Sequence, residues 1–91
     1  MTTNESGSFP LLANVLAPDI FASGVSGFAL CGENIVITFE VEVVDHGVEP
    51  PAAHRKVAAR LIMPIARAQR SLGGLRSYLE QRGFPLEDSP R

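Results

Sequence analysis

A chain of 91 residues, 45% hydrophobic and 20% charged, has room for one small hydrophobic core and excludes two. A domain of this size buries only about 60–65% of the surface its unfolded chain exposes, so a partner subunit, a metal or disulfides often supply the missing stability. The single cysteine, Cys31, excludes an intrachain disulfide framework, and a net charge of −2 gives no bulk attraction for nucleic acid.

That net charge conceals a segregation. Residues 1–53 carry Glu5, Asp19, Glu33, Glu40, Glu42, Asp45 and Glu49 with no Lys or Arg. From Arg55 to Arg82 the charges are Arg55, Lys56, Arg60, Arg67, Arg70, Arg76 and Arg82 against Glu80 alone. Two elements pairing within the fold, two copies pairing with each other, or a nucleic-acid surface would each separate charge in this way. Cys31 reads as a buried structural thiol in a reducing compartment. The start, MTTNESGSFP, has neither the basic residues nor the apolar run of a secretory signal, and no apolar run approaches the roughly 20 residues of a membrane span, so the expected location is the cytoplasm.

Residues 1–9 are small and polar and are expected to form a disordered tail. Residues 10–84 then form a single α+β domain. Its first segment, PLLANVLAPD, is apolar but bounded by Pro10 and Pro18, which suits an edge strand or an arm over a neighbour better than a helix. Ile20 to Val44 reads as two strands around a turn at Cys31-Gly32-Glu33-Asn34. In the second of them Ile35, Ile37, Phe39, Val41 and Val43 alternate with Val36, Thr38, Glu40 and Glu42, giving one buried and one wet face. Gly24 and Gly27 in the first mark a bulge or a close backbone approach, and Phe28 and Leu30 are expected on the buried face.

DHGVEPPAAHR, with Gly47 and Pro50-Pro51, reads as a loop. KVAARLIM follows as a third strand, with Val57, Ala59, Leu61 and Met63 on one face. A hairpin closed symmetrically about the proline pair sets Phe39 opposite Leu61 and Glu40 opposite Arg60. Pro64 is placed in the first turn of a helix whose apolar residues Ile65, Ala68, Leu72, Leu75 and Leu79 form one stripe. Gly83, Phe84 and Pro85 have the order of a Schellman stop, with Phe84 turned back on Leu79. Residues 85–91 are expected to be a flexible tail. The whole is an antiparallel three- to four-stranded meander packed against one C-terminal helix, β-β-β-α.

No residue set compels a chemistry. His46 and His54, with Asp45 and Glu49 nearby, match no compact metal-ligand spacing, so no metal is expected. Neither Cys31 nor any serine is accompanied by a base and an orienting group, and SGVSG and LGGL lack a phosphate-loop context, so neither catalytic residues nor a cofactor are expected. Arg67 and Arg70 face solvent together on the helix and, with Arg55, are the candidate contacts for an anion or nucleic acid. They form no continuous stripe, and Tyr78 is the only aromatic beside them.

A sheet covered on one face by one helix leaves Val36, Ala58 and Ile62 on the other, and leaves its edge strands unpaired, so self-association as a homodimer is expected. The adjacent Gly73 and Gly74 sharpen this. Each costs about 1 kcal/mol against Ala inside a helix. On the helical wheel Gly74 lies opposite the leucine stripe, whereas Gly73 joins Ala66 and Ser77 in a small-residue strip that a second backbone can approach. Ala66, Gly73, Ser77, Val36 and Ile62 are therefore the candidate interface.

From Phe21 to Gly83 the chain resembles small uncharacterised bacterial proteins in which a β-meander leads through an RLxMP stretch, here Arg60-Leu61-Ile62-Met63-Pro64, into an amphipathic helix marked by Ala68, Gln69 and Leu72. The resemblance implies a β-β-β-α domain and transfers no catalytic residue. The strand-rich half with a following helix is also similar to export chaperones of the SecB type, without their second long helix. The function expected is a non-enzymatic, oligomeric protein–protein interaction or assembly module whose partner the sequence does not identify. The alternatives are a nucleic-acid-associated protein or a small holdase-type chaperone.

Overall fold

The computed structural model describes residues 9–87. It contains β1 (Gly24–Cys31), β2 (Asn34–Asp45), β3 (Ala52–Pro64) and α1 (Ile65–Gln81), in that order. The strands form one antiparallel sheet in the order β1-β2-β3, so the architecture is α+β with the arrangement β-β-β-α. Most of the expected tails, residues 1–8 and 88–91, fall outside the described range.

The β1–β2 turn is as short as a hairpin allows. Cys31 pairs with Asn34, and Gly32 takes φ 63, a left-handed conformation that glycine adopts without steric cost. A bulge interrupts β1 between Val25 and Gly27, where the glycines signalled one. The segment before β1 adds no fourth strand. It makes a turn at Asn14, whose carbonyl accepts from the Ala17 N–H at 3.1 Å and whose Oδ1 accepts from the Leu16 N–H at 3.0 Å.

The β2–β3 register differs from the symmetric closure expected of the loop. Phe39 pairs with Ala59 and Ile37 with Leu61, while Arg60 stands opposite Thr38 rather than Glu40. Strand β3 is longer than the apolar pattern suggested, since Ala52–Arg55 continue the ladder opposite Glu42–Asp45 and leave a shorter connection. A second bulge between Phe39 and Glu40 then shifts the ladder by one residue, which puts Val57 opposite Glu40 and Lys56 opposite Val41. The clean apolar face of β3 therefore ends at Ala59.

Helix α1 runs unbroken through Gly73 and Gly74 and stops as the sequence indicated. Gly83 takes φ 95, its N–H donates to the Glu80 carbonyl at 3.1 Å, and the Phe84 N–H donates to the Leu79 carbonyl at 2.8 Å. These are the two bonds of a Schellman motif. Pro64 is not inside the first turn: with φ −60 and ψ 144 it is extended and is both the last residue of β3 and the helix N-cap. The Ile65 N–H instead donates to the carbonyl of Glu33 in the β1–β2 turn at 3.0 Å, which ties the helix start to the end of the sheet.

The expected packing of this helix across the sheet is the main point that the structure corrects. Strand passes into helix without a connector, so the chain has no residues with which to reverse over its own sheet. Ile65 and Ala68 are half-buried, but every helical residue from Gln69 onward is exposed. Accordingly no described residue of the molecule is fully buried.

Candidate functional site

The sheet presents two chemically different faces. On one, the rungs Leu30–Ile35–Met63, Phe28–Ile37–Leu61 and Val25–Phe39–Ala59 are wholly apolar. The other carries Ala29–Val36–Ile62 and then turns polar through Thr38, Arg60, Glu40 and Glu42. The apolar face owes its existence to the period-two pattern of β2; the bulge between Phe39 and Glu40 ends it, and the β1 bulge between Val25 and Gly27 keeps Val25 on it opposite Phe39. Among the described residues no further element lies over it: Phe28 is 69% and Leu30 72% exposed on the edge strand, while Ile35, Ile37 and Phe39 on the central strand are half-buried.

The stripe on α1 is equally open. Leu72, Leu75 and Leu79 line a groove of about 250 Å³ together with Arg76, Phe84 and Leu86, because the Schellman turn sends Phe84 back beside Leu79. Leu72 is 67% and Leu75 57% exposed. Arg76 is held at the rim by Glu80, Nε to Oε2 3.2 Å, and the Arg82 guanidinium lies 5.1 Å from the Tyr78 ring centre. A third apolar segment, Phe9 to Phe21, carries Leu11, Leu12, Val15 and Leu16 at exposures from 80% to 99%.

These surfaces add up to more than a small protein normally leaves in water. The chain exposes 7939 Å², whereas a compact protein of 9.8 kDa exposes about 5,200 Å². Allotting the terminal residues outside the described range the full surface of an unfolded chain, about 1.45 Å² per dalton, still leaves an excess of about 1,400 Å². A specific interface of ordinary size removes about 800 Å² per partner. The excess is thus large enough for a stable dimer contact.

The residues singled out from sequence fall into separate places. Val36 and Ile62 form one rung, with Val36 half-buried and Ile62 65% exposed, so the structure does bring them together. Ala66, Gly73 and Ser77 lie exposed on α1, away from the sheet. A Cβ built on Gly73 or Gly74 meets no atom within 4 Å, so within the chain neither glycine serves a close approach. Arg55 is ion-paired to Glu40 at 3.0 Å, beside an open groove of about 660 Å³ lined by charged side chains together with Ala53 and Val57. It stands near the end of β3 opposite to α1, roughly 30 Å of strand from Ile65, so Arg55 does not join Arg67 and Arg70 in one patch.

Cys31 is exposed rather than buried, because the tight turn places it at the edge of a sheet that no other element covers. Among the described residues no three His, Cys, Asp or Glu side chains stand close enough to hold a metal ion, and no helix is long and apolar enough to cross a membrane. The open apolar sheet face is what sequence reasoning missed. The apolar alternation located it, but the absence of any connector between Met63-Pro64 and Ile65 was the available signal that α1 does not cover it. Comparison with protein-family models, curated proteins and solved structures gives no match.

Proposed function

We propose that this protein is a non-enzymatic homo-oligomeric module of the cytoplasm, a homodimer in its basic form, that serves protein–protein interaction or assembly. The observation that carries this reading is that no described residue is buried although the chain folds a regular three-stranded sheet and a 17-residue helix. A sheet and a helix of this size are stable only when their apolar faces are covered. A second copy is the partner always present at matching concentration, and one self-complementary contact covers both chains at once.

The dimer reading is tested by the mass in solution. Light scattering at micromolar concentration should give twice 9.8 kDa. A folded species of 9.8 kDa with a cooperative unfolding transition overturns the reading.

One observation favours a second reading, a small holdase-type chaperone. Leu11, Leu12, Val15 and Leu16, ahead of the sheet, are 80–99% exposed, and contiguous exposed apolar surface marks a site of protein interaction, which for a holdase is an unfolded client. Suppression of the aggregation of an unfolded client at near-stoichiometric amounts supports it, and unchanged aggregation removes it.

A further inference from the structure

We propose that α1 covers the apolar sheet face of the second copy: the helix that leaves its own sheet completes the core of its partner, and the partner's helix does the same in return. This rests on the homodimer reading above and names its contact surface.

Three observations carry it. The first is the connection. Pro64 is extended and Ile65 already helical, and the Ile65 N–H is fixed to the Glu33 carbonyl at the sheet's end. Helix connections in α/β units use about 2–6 residues to turn a helix back onto its sheet, and here there are none. The second is size. From the Leu30 rung to the Val25 rung the apolar face runs about 14 Å along the strands and about 10 Å across them. That is the footprint of one helix, about 10 Å in diameter, and Leu72 to Leu79 extends about 10.5 Å along its axis at 1.5 Å per residue. One helix fills one face, and each chain brings one of both.

The third is area. The excess exposed surface of about 1,400 Å² per chain, which the sheet face and the α1 stripe share with the Phe9–Phe21 segment, leaves room for the 800 Å² or so that each partner of a standard interface contributes. Helix on sheet is also the layer arrangement that the amphipathic pattern of both elements calls for. A two-fold axis makes the exchange reciprocal, so that neither a face nor a helix is left over.

The contact is read by cysteine cross-linking of the full chain. With Cys31→Ser to remove the native thiol, Ile37→Cys at the centre of the sheet face and Leu75→Cys at the centre of the stripe are introduced on separate chains, which are co-expressed and oxidised. The proposal predicts a covalent dimer from the mixed pair and little from either variant alone. Linkage of the Leu75→Cys chain to itself means helix against helix, and linkage of the Ile37→Cys chain to itself means sheet against sheet; either result overturns the proposal while leaving the homodimer. A protein that is monomeric before oxidation overturns both.

A second pair of variants guards against cysteine substitutions that fail to fold. Leu75→Asp, on the stripe, should weaken the dimer at least about thirtyfold, as an interface hot spot does. Gly74→Asp, on the opposite side of the same helix, should leave it unchanged. Equal effects from the two overturn the proposal.

Discussion

The Arg55 guanidinium donates to Oε1 of Glu40 at 3.0 Å, although the residue directly opposite Arg55 in the sheet is Glu42. The pair is diagonal because the bulge between Phe39 and Glu40 shifts β3 by one residue, bringing Val57 opposite Glu40. The opposite charges of the two halves of the chain thus meet within one sheet, but not in the register that simple hairpin symmetry sets. The Arg55 side chain is 67% exposed although that of Glu40 is only 15%, so water still screens one side of the pair. A double-mutant cycle with Glu40→Gln and Arg55→Gln should return a coupling of about 0.2–1 kcal/mol that shrinks with added salt. A coupling well above this, insensitive to salt, is the contrary result.

Gly74 lies in the middle of a continuous helix with open space where its Cβ would be. Gly74→Ala should therefore stabilise the protein by about 1 kcal/mol, the difference in helix propensity, measured by denaturant unfolding of the dimer at fixed concentration. Gly73→Ala should do the same, since nothing stands within 4 Å of that position either. A loss of stability confined to Gly73→Ala would return the Ala66, Gly73 and Ser77 strip to the interface.

Gly83 differs from both because its φ of 95 belongs to the Schellman stop. Gly83→Ala should destabilise by about 1–2 kcal/mol, the cost of a left-handed conformation for an L-residue. It should also loosen Phe84 from Leu79 at the lip of the groove that both residues line. An unfolding midpoint equal to that of the parent protein contradicts this.

Much of the fold was legible in the sequence, and the exceptions share a cause. The alternation from Ile35 to Val43, the turn at Gly32, the bulge near Gly27 and the stop at Gly83 are each written in a few neighbouring residues, and each is present in the structure. What was not legible depends on how distant segments meet. The slip that places Thr38 rather than Glu40 opposite Arg60 depends on how much of Ala52–Arg55 joins the ladder, and residues of low strand propensity there gave no sign of it. The burial of Cys31 follows from its residue type and the packing of the helix from its apolar stripe, and both say that apolar groups will be covered but not by which chain. The candidate interface had the same weakness. Val36 and Ile62 do share a rung, yet the larger apolar area lies on the opposite face, with Phe28 and Leu30.

No described residue of one chain is fully buried, and on the homodimer proposal a second copy supplies the missing core. The most direct test of that proposal is thermal unfolding of the intact protein over a hundredfold range of concentration. For a folded dimer that separates into unfolded chains, the midpoint rises with concentration by mass action. A homodimer gives a single cooperative transition whose midpoint climbs steadily across that range. A midpoint independent of concentration, with the same sharp transition, would contradict it.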